Sequence, residues 1–542
     1  MDDAAFYTWI REIATPFGIR GGWNLYGSCD FDFRNTAVQS VHTSQGGLVQ
    51  DAADDPVIGA RVQLRKAVIV DVDPEGTLGT QIFCDEFALR TRDGLSVIGA
   101  PTRFYSRWIG RRNLQASGFT AFAAVWHAVL PSDLMTISGG DSDALNALRS
   151  ASEEGDGLFV EFCTYFLSPQ VPQSQLAQDF ANDRPTPNPA YGRIVGTVGV
   201  WHQSEMETIP VGRRLNPAAQ LQHDHTTYQL NPSVALVDPE RKVVALDLIQ
   251  TFPEVNESLA KVNLGGVIHY HSEAPNGPLA LIHGGAEGEE VHTLGPIEYD
   301  QAAYERQSGL VDVPFSDEVG PLLENGRLVL IQDSAGAVVL AEQDLTVETD
   351  QRGVYLQENE EQSITLKVHE KGKTATNSTT VRLRQYVTTN RSFSLANAQS
   401  AIVEVPAEAE LPAGGSLNLS MTALRPGTCI LVFLPPDEPL NSRQFFTNIR
   451  VLPEDNYDHV TDDELNFQLI YQEVLRYYYF LYPAMNEEFD LSKELKVRLR
   501  AQQIQEVIAK SNWNKWSYMP RTRELSDGKR KLLERWCEKV LS

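Results

Sequence analysis

Through residues 1–343, Val, Ile, Leu and aromatic residues alternate with polar ones in short runs separated by turn residues. GARVQLRKAVIVDVD (59–73), DGLFVEFCTYFL (156–167), GRIVGTVGVWHQ (192–203), SVALVDPERKVVALDLIQTF (233–252) and GGVIHYHSEAPNGPLALIHGG (265–285) are examples. A period of two, bounded by Asp-Pro or Asn-Gly, marks strands joined by tight turns. Helical spacing interrupts it twice, over residues 5–13 and in SDALNALRSASEEG (142–155), where Leu145 and Leu148 share a face. The pattern predicts a mainly β protein opening with a large antiparallel β-domain over 1–343. SPQVPQSQLAQDFANDRPTPNPAYG (168–192), rich in Pro, Gln and Asn, reads as a long ordered surface loop within that domain.

Beyond residue 344 the rhythm tightens. SITLKV (363–368), TVRLRQY (380–386), AIVEV (401–405), SLNLSMTAL (416–424), TCILVFL (428–434) and FFTNIRVL (445–452) follow one another with turns between. Their number and spacing predict an immunoglobulin-like β-sandwich over 344–456, without the Cys–Trp–Cys pattern of antibody domains. Residues 457–542 form a helical segment. Thr461 and Glu464 have capping-box spacing, and Phe467, Ile470, Val474, Tyr478 and Leu481 recur on one helix face until Pro483. A second stripe runs through Val497, Ala501, Ile504 and Ile508, and a third helix ends the chain.

Composition narrows the function classes. The 542 residues carry 46 Lys and Arg against 72 Asp and Glu, a formal charge of −26, which repels nucleic acid and anionic membranes. The apolar runs are strand-length, too short to span a bilayer as a helix, and residues 1–22 lack a secretory h-region. The five cysteines are scattered, with no CxxC pair, as in a reducing cytoplasmic setting without disulfides or thiolate zinc. From residue 491 onward 13 Lys and Arg face 6 Asp and Glu, so a basic tail follows an acidic body and is expected to dock on it or on an acidic partner.

Three clusters offer chemistry. His223 with His225, and His269 with His271, are His-x-His pairs. Two imidazoles on one strand face suit a zinc or copper ion, whereas the plainer reading is solvated surface. The Asn276-Gly277 turn would fold His283 back beside the second pair, depending on register. Asp71, Asp73 and Glu75, with Asp85 and Glu86 beyond a turn, are either an acid–base or cation site or simply a strand end and turn. In RFYSRWIGRRN (103–113), Arg103, Arg107, Arg111 and Arg112 interleave with Tyr105 and Trp108. Such a patch binds a carboxylate or indole by pairing and stacking, with Tyr105, Arg107 and Trp108 as the substrate-binding candidates; the alternative is ion pairing to the acidic surface. Gly192, Gly196 and Gly199 lie inside a strand run, not before a helix, so no dinucleotide loop is expected.

Several passages resemble the iminophenyl-pyruvate dimer synthases of violacein formation and the chromopyrrolic-acid synthases of rebeccamycin and staurosporine formation. NKWSYMPRTRELSDGKRKLL (514–533), IYQEVLRYYYFLYPAM (470–485), GGWNLYGSCDFDFRNTAVQSV (21–41), DVDPEGTLGTQIFCDEFAL (71–89), GRIVGTVGVW (192–201) and TALRPGTCILVFL (422–434) carry the resemblance. It covers the N-terminal region of those proteins. They continue into a ferritin-like helical domain, which would begin about where this chain stops, and they are haem- or iron-associated, which adds iron to the candidate metals. The resemblance implies a biosynthetic enzyme or enzyme subunit acting on a small aromatic, amino-acid-derived intermediate, in a coupling or cyclisation step. The alternative is a non-catalytic scaffold that partners a separate ferritin-like or oxidase subunit. No catalytic residue is assigned by either reading.

Overall fold

The computed structural model describes residues 4–6, 29–43, 47–71, 79–114, 119–169, 175, 178–179, 181–182, 192–223, 226–255, 259–262, 268–273, 292–297, 301–332, 337–389, 392–436, 438–439, 442, 444–482, 486 and 489–542. Most of the helix expected over 5–13, the loop expected over 168–192 and the Asn276-Gly277 hairpin lie outside these residues. Among the described residues the strands form four large sheets and two two-stranded ribbons. No described helix is long and apolar enough to cross a membrane.

The first sheet runs, neighbour to neighbour, through Asp30–Phe31, Arg61–Asp71, Thr80–Arg90, Phe104–Leu114, Phe119–Pro131, Gly157–Pro169 and Gly192–Trp201, with Ser96–Gly99 and Met135–Ser138 branching from it. Strand alternation sends Phe104, Trp126, Leu158, Val160 and Phe162 to one face. There they bury against Leu145 and Leu148 of the helix Asp143–Glu154. Ser142 caps that helix, accepting from the Leu145 N–H while its hydroxyl donates 2.6 Å to Asp55. The opposite face carries Val125, Cys163 and Tyr165, which pack on Ile249, Leu259 and Tyr304. The glycine string fits its strand because a Cβ at Gly196 would stand 2.5 Å from the Glu161 carbonyl.

The second sheet is antiparallel, ordered His292–Ile297, Ile268–Glu273, Arg327–Gln332, Ala337–Glu342, Arg213–Pro217, Ser233–Asp238, Val243–Asp247 and Leu310–Pro314. It has its own apolar core around Leu215, Leu246, Phe252 and Leu330. Among the described residues, 1–343 thus hold two large sheets, each with a core of its own.

Two further sheets share one core. Leu345–Glu348, Glu361–Glu370, Ser416–Ala423 and Val403–Glu404 make one. Gly353–Gln357, Phe446–Leu452, Gly427–Leu434, Thr379–Thr389 and Ser392–Leu395 make the other. Ile364, Leu366, Leu419 and Met421 from the first meet Leu356, Leu383, Leu431, Phe433 and Ile449 from the second. Gly353–Gln357 and Phe446–Leu452 pair in parallel.

In the helical segment the Thr461 N–H and hydroxyl both donate to the Glu464 carboxylate, but this pair closes a turn and does not start the helix. The helix begins at Phe467, capped by Asn466, and widens to a π turn over Tyr471–Leu475 before Arg476–Leu481. Asn466 wins because its side chain reaches the Leu469 N–H at the head of the apolar stripe. Val497, Ala501, Ile504 and Ile508 are buried as the stripe implied, against Leu532, Leu533 and Trp536 of the last helix, Asp527–Leu541.

One carboxylate ties these parts together. Glu348 ends a strand of the third sheet with its side chain only 3% exposed. It faces Arg107 of the first sheet at 2.9 Å, Arg214 of the second at 2.7 Å and Arg352, beside the fourth, at 3.9 Å. Burial alone would raise its pKa, but the three guanidinium groups outweigh that and hold it at about 2.

Two stability predictions follow from these contacts. Glu348→Ala leaves three buried arginines facing one another, and denaturant melts should show a loss of about 3–5 kcal/mol. Because the Glu348 pKa is lowered on folding, its contribution is full above the ordinary glutamate range near 4.5 and disappears as pH falls toward 2. A Cβ at Gly528 would meet the Asp455 carbonyl at 1.7 Å, so Gly528→Ala should cost about 1–3 kcal/mol and lower the melting temperature.

Candidate functional site

Where the first sheet, the paired third and fourth sheets and the C-terminal segment meet, they enclose a cleft of about 860 Å³. That volume is within the usual range for small-molecule sites, roughly 300–1,000 Å³. Phe83, Cys84, Arg103 and Tyr105 come from the first sheet, and Asp350, Tyr355 and Lys367 from the paired sheets. Trp513, Asn514 and Tyr518 come from the C-terminal segment, and Glu207 from the connection between the first two sheets.

The first-sheet wall follows from register. Gln81 stands opposite Tyr105, Tyr105 opposite His127, His127 opposite Glu161 and Glu161 opposite Thr197, so five adjacent strands contribute one polar row on one face. Arg103 precedes this strand and reaches over the row. Its Nη1 donates to Tyr105 Oη at 2.9 Å and Gln81 Oε1 at 3.2 Å, and its Nη2 donates to Asn514 Oδ1 at 2.6 Å. Its guanidinium lies 4.7 Å from the Phe83 ring centre. Among the described residues no carboxylate pairs with Arg103, and its buried Nε has no partner. In a protein of formal charge −26, this is an unneutralised cation in a concave site.

Aromatic rings surround it. Tyr355 and Trp513 meet edge to face at 4.9 Å, and Trp513 and Tyr518 at 5.0 Å. Tyr355 Oη accepts from Gln81 Nε2 at 2.6 Å, and Tyr105 Oη accepts from Arg103. Neither hydroxyl proton has an acceptor among the described residues. Burial raises both phenol pKa values despite nearby arginines, so both remain donors. Burial also pushes the Cys84 thiol up to about 12, which removes it as a nucleophile at neutral pH.

The third wall is held by buried polar contacts. Arg523, 0% exposed, lies 3.6 Å from the Phe83 ring centre and donates to the carbonyls of Lys515 at 2.8 Å and Arg521 at 2.5 Å. Glu524 pairs with Arg450 at 3.0 Å and accepts from Thr522 at 2.9 Å and Tyr482 at 3.3 Å. Part of the tyrosine-rich helix is thereby used in fixing this segment. The basic tail docks on the body through Arg521, 2.5 Å from Asp30, and the Trp516 N–H, 3.3 Å from Asp85.

The basic aromatic patch is divided. Tyr105 and Arg103 face the cleft. Arg107 is committed to Glu348 and to Thr208, whose carbonyl it reaches at 2.7 Å. Trp108 has φ 49° at a break in register, which turns it away to pack beside Val125 and Tyr165, with Arg214 5.4 Å from its ring centre. The side chains of Arg111 and Arg112 are outside the description.

So are the side chains of His223, His269 and His271, and all of His225 and His283. The backbone places His223 in the ribbon Leu221–His223 with Thr226–Tyr228, and His269 and His271 in the second sheet opposite Ile331 and Val329. Among the described residues no group of three or more His, Cys, Asp or Glu is placed to hold a metal. Asp71 accepts from Thr80, and Glu86 pairs with Arg65 and Arg90; Asp73 and Glu75 lie outside the described residues. Glu207 and Tyr355 had no local motif to flag them, whereas Gln81 and Asn514 fall in the passages 71–89 and 514–533.

No protein-family model matches the chain. The 2-imino-3-(indol-3-yl)propanoate dimerase of Chromobacterium violaceum is 25% identical over 570 residues, covering 97% of this chain and 50% of its own length. Dichlorochromopyrrolate synthase of Lentzea aerocolonigenes is 24% identical over 448 residues, covering 73% of this chain and 38% of its own. The chain is a distant homologue of these synthases and spans half their length or less. Among solved structures, the native form of E. coli alpha-2-macroglobulin aligns over 72% of this chain and 37% of its own, at 9% identity and a TM-score of 0.13, too slight a likeness to carry an argument.

Proposed function

We propose that this chain is a biosynthetic enzyme, or a subunit of one, that seats an aromatic, amino-acid-derived carboxylate in the three-walled cleft for a coupling or cyclisation step. The observation that carries this reading is Arg103, a cation without a carboxylate partner among the described residues, set among Phe83, Tyr105, Tyr355 and Trp513. A carboxylate beside Arg103 would be held by its positive charge and would accept from the two free phenol protons, while the rings take up the aromatic group. The relatives' names support the substrate class, since an indolyl propanoate and a chromopyrrolate both join an aromatic ring to an acid. Passages 71–89 and 514–533 supply Phe83, Cys84, Asn514 and Tyr518 to the cleft. We also read the third and fourth sheets as an immunoglobulin-like sandwich, because their strand orders and the parallel pairing of Gly353–Gln357 with Phe446–Leu452 suit that topology.

A second reading, a scaffold for a separate ferritin-like or oxidase subunit, is favoured by Leu495 and Leu499. These lie one helical turn apart and are 70% and 78% exposed.

Binding of indole-3-acetate, with indole-3-ethanol as the uncharged control, tests the first reading. Arg103→Ala should weaken the acid by about ten- to a hundredfold, the size of a charge-assisted hydrogen bond, and leave the alcohol unchanged. Equal binding of acid and alcohol to the unaltered protein would overturn it. For the scaffold reading, Leu495→Glu with Leu499→Glu should abolish a complex with a co-expressed ferritin-like or oxidase subunit; a complex that survives the pair of changes rejects that surface.

A further inference from the structure

Glu207 lines the same cleft, half-buried, and differs from every other acid there. Its backbone is fixed on both sides. The N–H donates to Asp350 Oδ1 at 2.9 Å, and the carbonyl accepts from His127 Nδ1 at 2.9 Å, which sets the tautomer of that ring because a carbonyl cannot donate. Its carboxyl group, by contrast, accepts no hydrogen bond and joins no ion pair among the described residues. Asp350 beside it is fully engaged, taking the N–H and hydroxyl of Thr208 at 3.1 Å each and pairing with Lys367 at 3.8 Å.

We propose that Glu207 is the proton-exchanging acid of the cleft, placed to give a proton to, or take one from, an aromatic carboxylate anchored on Arg103. This rests on the anion seat assigned above. Tyr105 connects the two ends: its hydroxyl is bonded to Arg103, and it feels the charge of Asp350. Burial raises the Glu207 pKa, the charge of Asp350 raises it further, and Lys367 partly offsets both. The other charged groups lining the cleft have partners: Glu360 accepts from the Gln357 N–H, and Asp527 pairs with Lys510 and Arg530. Arg107 is bound to Glu348 and Thr208, and burial pulls His127 down to about 4, so that imidazole stays neutral while Glu207 titrates.

The sign of the effect follows. Protonated Glu207 leaves the cleft positive for an incoming anion, while ionised Glu207 puts a like charge beside it, so affinity falls as pH rises through the Glu207 pKa. By linkage, anion binding draws a proton onto Glu207.

Calorimetric titration with indole-3-acetate between about pH 5.5 and 8, in buffers of different ionisation heat, tests this. Affinity should drop on the order of tenfold across the range, as for two like charges in one cleft, with proton uptake at the low-pH end. Glu207→Gln should still bind, with a flat profile and no proton uptake; it removes no observed contact, so folding should be unaffected. A flat profile in the unaltered protein, or a slope retained in Glu207→Gln, overturns the role of Glu207 while leaving the anion seat intact. Absence of binding at every pH overturns the seat itself, and this inference with it.

Discussion

The contact of Glu348 with three arginines sets the relation between the parts of the molecule. Arg107, Arg214 and Arg352 come from different sheets or their edges and converge on one buried carboxylate. Removing a charge from water is costly, and the interior recovers that cost only when partners are close and well oriented. Each arginine therefore helps fix the element that bears it. Further donors complete the arrangement: Arg107 reaches the Thr208 carbonyl, and Arg352 reaches that of Phe446 at 2.5 Å. Tyr105 is two residues from Arg107, and Tyr355 is three from Arg352. The contact that joins the sheets thus also positions two walls of the cleft.

The same interface uses carboxylic acids in opposite ways. Burial, reinforced by its neighbour Asp247, raises the pKa of Glu161 well above the usual range, so that carboxyl holds a proton where an ordinary glutamate is ionised. Glu348, equally buried, is ionised because three cations outweigh desolvation. Glu161 stands on the same polar row as Tyr105 and His127, so a single strand face passes from a cationic cleft to a protonated acid.

At the cleft, neutral partners preserve charge. Arg103 on its lining and Arg523, buried behind the third wall, both lie against Phe83 and donate to amide or carbonyl oxygens; carboxylates would have cancelled their charge. This leaves local positive potential in an acidic protein, where the surface would otherwise repel an anionic ligand. The phenols of Tyr105 and Tyr355 add neutral donors whose protons burial secures.

Local periodicity by itself determined the strands, the helix Asp143–Glu154 with Leu145 and Leu148 on its buried face, and the buried stripe Val497, Ala501, Ile504 and Ile508, because each depends on neighbours within a few residues. It also placed Arg103, Tyr105 and Arg107 in one basic aromatic run. Tertiary structure alone decided which members of that run face the cleft. Glu348, 241 residues away, neutralises Arg107, and a break in register turns Trp108 aside. Asn514, 411 residues from Arg103, and Tyr355, 274 from Gln81, complete the wall. Even the capping box at Thr461 misjudged the helix start, because Asn466 sat nearer the apolar stripe. Spacing in a chain records local geometry; which charges are paired and which are left free depends on partners that only folding brings within a few ångströms.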